Sequence, residues 1–164
     1  MGNLKLLKFI IIELLFLFNL TLLFNNPIVK ECQMQANKNN IIPDIKVNNL
    51  DGTITLSPLD TITVTISLNN NGITKNSDWW LIVKSPLYHF YFYNIHGYLL
   101  PYPKPTYQGP LFYLASYKLF SIPISKLDVY RGKYKLYFGV DLNRNGKIDW
   151  DNFYYDSIEI NIVK

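Results

Sequence analysis

Thr61-Ile62-Thr63-Val64-Thr65-Ile66-Ser67-Leu68 alternates without a break, apolar at every even number and hydroxylated at every odd one. In an extended chain successive side chains point to opposite faces, so Ile62, Val64, Ile66 and Leu68 share one face and the hydroxyls the other. The stretch therefore predicts a half-buried antiparallel strand. Asn69-Asn70-Asn71-Gly72 supplies the turn that ends it.

The same period recurs on both sides. Tyr134, Leu136, Phe138 and Val140 alternate with Lys133, Lys135, Tyr137 and Gly139, and Ile158, Ile160 and Ile162 alternate with Glu159 and Asn161. Ile45 and Val47, then Ile54 and Leu56, mark short strands divided by Asp51-Gly52. Trp79–Lys84 and Tyr88–Tyr93 are aromatic or β-branched runs of strand type. Pro101, Pro103, Pro105 and Pro110 exclude a central strand between them. Residues 111–127 fit either a short helical turn near Ala115 or one edge strand.

About seven short strands separated by turn signals predict an all-β, antiparallel β-sandwich. The Trp79-Trp80 pair in the third main strand, and Gly132-Lys133-Tyr134 opening the penultimate one, resemble the immunoglobulin-like class. There a strand indole is buried and a tyrosine corner ties a phenol to upstream backbone. Cys32 is the only cysteine, so the inter-sheet disulfide of antibody domains is excluded.

At 164 residues the chain has room for one such domain and a leader. Lys5 and Lys8 precede an apolar run from Phe9 to Phe24, closed by Asn25-Asn26-Pro27. A short basic segment before an apolar run is the export pattern. Residues 1–36 are thus expected to be a signal peptide or an N-terminal membrane anchor, 37–42 a linker and 43–164 the sandwich. The expected location is periplasmic, cell-surface or extracellular, with the membrane touched only through this segment. Phe9 followed by Glu13 also resembles a type IV pilin start, although pilins carry Gly before that Phe and this chain has Lys8; a pilin-like surface subunit is the third reading. The net charge of +4 is spread singly along the chain, so no nucleic-acid partner is expected.

One loop carries chemistry. From Asp141, oxygen-bearing side chains recur at Asn143 and Asn145, Gly146 permits a sharp turn, the Lys147 carbonyl follows, and Asp149 comes next. Calcium takes six to eight oxygens, and this spacing resembles the first nine positions of an EF-hand or dockerin-type loop. The resemblance implies a structural calcium site of Asp141, Asn143, Asn145, Lys147, Asp149 and Asp151. It departs from that family at position twelve, where Asn152 replaces the bidentate Glu (Asp151 or Asp156 would have to substitute), and strands flank the loop instead of helices. The same residues also suit a plain turn, because Asn145-Gly146 is a strong hairpin signal.

Aromatic residues crowd the middle third. Trp80, His89, Tyr91 and Tyr93 are candidate ligand contacts: in a strand His89, Tyr91 and Tyr93 share a face while Phe90 and Phe92 point inward. Exposed rings stack on sugars, and packing alone also explains tyrosines in a small sandwich. His89 and His96 lack acidic or cysteine partners at ligand spacing. With no phosphate loop, Ser elbow or His-Glu-x-x-His, the expectation is a non-enzyme.

Pro43-Asp44-Ile45-Lys46-Val47-Asn48, Asp78-Trp79-Trp80, Tyr107-Gln108-Gly109-Pro110-Leu111-Phe112 and Tyr137-Phe138-Gly139-Val140-Asp141 through Tyr155-Asp156-Ser157 resemble a module of exported bacterial proteins. That resemblance implies a structural or adhesion-type surface module, partnered by a protein or polysaccharide surface. A carbohydrate-binding module using surface aromatics is the alternative.

Overall fold

The computed structural model describes residues 41–163. The leader, anchor and pilin-type expectations for the first 40 residues lie outside the described residues. Ten strands follow: β1 (Ile42–Val47), β2 (Thr53–Leu56), β3 (Thr61–Asn69), β4 (Asn76–Lys84), β5 (Phe90–Tyr93), β6 (Leu99–Leu100), β7 (Tyr107–Pro110), β8 (Leu114–Pro123), β9 (Gly132–Asp141) and β10 (Phe153–Ile162). They form an all-β, immunoglobulin-like sandwich. One sheet has the order β1-β3-β8; the other runs β2-β10-β9-β4-β5-β6, with β7 also on β4.

The even-numbered apolar residues of β3 face the second sheet as expected. Ile62, Val64, Ile66 and Leu68 are buried with Ile45 and Val47 of β1 against Leu81, Leu136, Phe138, Val140, Ile158, Ile160 and Ile162. Each such side chain contributes about 1.5–3 kcal/mol relative to exposure. Trp79 joins this core, stacked on Phe112 at 4.6 Å between ring centroids. Its indole N–H donates to Ser77 Oγ at 3.0 Å. Tyr134 Oη donates to the Tyr130 carbonyl at 2.9 Å, the backward bond of a tyrosine corner.

Two local features differ from the sequence reading, and a third decides between the alternatives for residues 111–127. Pairing is antiparallel except between β2 and β10, which run parallel because the chain crosses between sheets before reaching β10. Residues 114–123 form the edge strand β8, with register shifts against β3, and no helical turn forms at Ala115. Tyr107–Pro110 is a strand despite its proline: it lies outermost on the first half of β4, where a missing N–H costs no ladder bond. This arrangement sets β9 at the middle of the large sheet and turns its last residue, Asp141, outward at one end.

Candidate functional site

Asp141 ends β9 and pairs directly across the sheet with Asp78 of β4. Directly opposed residues share a face, so two carboxylates stand side by side on the outer face of the large sheet. Both are fully buried. Such a pair survives only if hydrogen bonds replace the lost water.

They are supplied by the loop and by the sheet. Asp78 Oδ1 accepts from Gln108 Nε2 at 2.7 Å. Asp78 Oδ2 accepts the backbone N–H of Asn145 at 3.0 Å and of Gly146 at 2.6 Å. Asp141 Oδ2 accepts the indole N–H of Trp80 at 2.8 Å, and Oδ1 accepts the Asn143 N–H at 3.1 Å. The Asp149 N–H adds a further bond to the Asp141 carboxylate. Gly146 sits at φ +74°, a left-handed turn that glycine adopts without strain. What converges at the base of the loop is a set of N–H donors around two protein carboxylates.

The proposed metal ligands are placed accordingly. Asn145 Oδ1 accepts the Lys147 N–H at 2.8 Å, and Asp149 Oδ2 accepts Asn152 Nδ2 at 3.0 Å. Asn143 is exposed, as is Asp151 on the short 3₁₀ turn Trp150–Asn152. Asp156, the sequence candidate for position twelve, instead accepts the Ile45 N–H of β1 at 2.9 Å. Among the described residues no three acidic, histidine or cysteine side chains gather.

The aromatic candidates are redistributed. Trp80 is wholly buried, so it presents no face to a ligand; it packs with Ile82 and Phe92 in a second apolar cluster on the outer face. Ile148 of the loop and Phe153 close over that cluster. Ile82 opposes Phe92 and Val83 opposes Tyr91. Phe90 and Phe92 therefore face outward, and Tyr91 and Tyr93 face the other sheet, the reverse of the sequence expectation. Tyr93 packs against the main core, 6.2 Å from Phe120 between centroids. His89 and His96 are exposed in separate turns. Asp78, Gln108 and Trp80 complete the site; of these the sequence reading offers only Trp80 as a site residue, for a different role, and has Asp78 and Gln108 only within the stretches that resemble an exported module.

No protein-family model and no characterised protein sequence matches the chain. Among solved structures it is similar to a CARDB domain of a Pyrococcus furiosus protein, in complex with di-metal ions. That match has 15% identity and a TM-score of 0.38, and covers 76% of this chain and 89% of that one. It is also similar to a chitin-binding domain from Burkholderia pseudomallei, with 14% identity and a TM-score of 0.31, covering 70% of this chain and 57% of that one.

The site has a definite electrostatic sign. Burial raises Asp141 above its ordinary value of 3.8, and the Asp78 carboxylate beside it adds to the rise, against the opposing bonds from Trp80, Asn143 and Asp149. The folded domain thus holds the Asp141 proton more tightly than the unfolded chain does. In the window above 3.8, stability falls as pH rises through the folded value and is regained on acidification. Urea midpoints across this range, compared with Asp141→Asn, are expected to show the wild-type advantage shrinking toward neutrality. Asp60 works the other way: the Ser57 N–H and hydroxyl hold it low, so its contribution is lost as pH falls below 3.8. The variant comparison cancels it.

Proposed function

We propose that residues 43–164 form a non-catalytic structural or adhesion-type module of an exported protein, stiffened by the 141–152 loop. The observation that carries this reading is the commitment of its buried polar groups. Asp78, Asp141, Gln108 and Trp80 bond to one another's segments, and among the described residues every buried side-chain nitrogen and oxygen has a partner. An acid–base pair needs a lone pair or proton turned toward a substrate; these groups are turned toward the loop backbone. Export rests on Lys5, Lys8 and the apolar run Phe9–Phe24. No helix among the described residues is long and apolar enough to cross a membrane. Fractionating cells that express the full chain, then sequencing the mature N-terminus, tests the export half. Full-length protein recovered from the cytosol would overturn it.

Calcium is the second reading of the loop. It is favoured by the adjacency of Asp78 and Asp141, a buried like-charge pair that no ion pair among the described residues relieves. Against it, both Asp141 oxygens and Asn145 Oδ1 already accept N–H donors, and Asp156 is engaged by the Ile45 N–H. The expected result is a melting temperature unchanged by millimolar calcium, a concentration matched to the weak sites of extracellular modules. A rise of several degrees that Asp141→Asn abolishes would establish the cation.

A further inference from the structure

The outer face of the large sheet carries a row of rings beside the loop. Trp150 meets Phe153 edge-on at 5.6 Å, Phe153 stacks on Tyr155 at 5.4 Å, and Tyr155 lies 6.0 Å from Tyr137. Trp150 and Tyr155 keep 41% and 40% of their surface exposed. The row runs over Gly139, which sits directly opposite Tyr155 of β10. A Cβ there would come within 2.7 Å of both the Phe153 ring and Tyr155 Cβ, so only glycine lets these residues settle onto the strand.

Past Tyr137 the row meets positive charge. Lys135 Nζ stands 5.3 Å from the Tyr137 ring centroid. Directly across the sheet is Lys84, whose Nζ lies 4.9 Å from the Tyr88 ring and 5.8 Å from Phe90. Like charges placed opposite one another weaken a sheet. Neither lysine joins an ion pair among the described residues; Glu159, the nearest carboxylate by register, pairs with Lys133 at 3.2 Å. Folding therefore leaves two cations side by side at the end of an aromatic strip.

We propose that this strip, Trp150–Phe153–Tyr155–Tyr137 with Lys135 and Lys84, binds an acidic polysaccharide, its sugars packed against the exposed Trp150 and Tyr155 rings and its carboxylates met by the lysines. A pyranose offers a C–H face to an aromatic surface, and a uronic acid adds one negative charge per residue. Single-stranded nucleic acid also combines stacking with charge, but it is held by cations tracking its backbone, and here two lysines sit together at one end. The proposal goes beyond the structural role above and stands without it.

Native gel electrophoresis of the full chain through polygalacturonate, a neutral β-glucan, or added oligothymidylate tests it. Retardation is expected in polygalacturonate and not in the other two. Trp150→Ala with Tyr155→Ala is expected to weaken it by about ten-fold or more, the scale of a lost ring stack. Lys84→Gln with Lys135→Gln is expected to abolish it, and near-ultraviolet circular dichroism checks that both variants remain folded. Absence of retardation in polygalacturonate would overturn the proposal. Equal binding of the neutral glucan or of the oligonucleotide would do the same, as would indifference to either folded double variant.

Discussion

Asp78→Ala is expected to release the 141–152 loop and to lower the stability of the domain by about 3–4 kcal/mol. The Asp78 carboxylate accepts three N–H donors, two from the loop backbone and one from Gln108. A hydrogen bond to a charged group contributes about 1.5–3 kcal/mol, and a donor left buried without a partner costs its desolvation as well. Those losses do not add in full, because alanine also removes the repulsion between Asp78 and Asp141. The balance is still clearly destabilising. Amide exchange gives the local readout: the Asn145 and Gly146 N–H groups should lose protection before the centre of β9 does.

Asp78→Asn separates the charge from the hydrogen bonds. Its side-chain carbonyl still accepts from the loop, and the Gln108 amide can rotate to meet the new NH₂ group. The loss is expected to be about 1 kcal/mol, well short of alanine. Removing the neighbouring negative charge should also bring Asp141 back toward its ordinary value, because that charge is one of the causes holding it up. The pH window of the Asp141 contribution then narrows. An Asp78→Asn protein with the same pH profile as wild type would mean the two carboxylates do not sense each other.

The legibility of these features in sequence follows from how far apart the interacting residues lie. The strands β3 and β10 and the first half of β9 bury one face, and a period of two specifies that face locally. Asp141 was visible for the same reason, since the loop chemistry around Asn145-Gly146 is contiguous. Asp78 was not, because its loop partner is 67 residues away and only the β4–β9 register brings them together. The β5 faces were misassigned because Phe90, Tyr91, Phe92 and Tyr93 are aromatic at every position, so no alternation fixes their phase. The preceding turn places Tyr88 at φ +62°, a left-handed backbone that no local pattern announces. Trp79 and Trp80 present the same difficulty in a strand covered on both faces: one indole belongs to the sandwich core and the other to the outer cluster.

Trp80 is where the outer cluster and the carboxylate pair meet, and Trp80→Ala is expected to cost about 3–5 kcal/mol. The indole is fully buried, edge-on to Phe92 at 6.2 Å, and roofed by Ile148 and Phe153. Its removal leaves a cavity beneath the loop and takes away the indole N–H that donates to Asp141 Oδ2, 61 residues along the chain. Trp80→Phe divides the two effects. Phenylalanine fills most of the volume but has no N–H, so what remains is the price of a buried carboxylate oxygen short of a donor, about 1–3 kcal/mol. Because the Trp80 bond favours the ionised form, its loss should push Asp141 further above its ordinary value. The phenylalanine variant is then expected to recover relative to wild type on acidification, and most of its deficit should disappear once Asp141 is protonated. A deficit of constant size from neutral to acid pH would assign the role of Trp80 to packing alone.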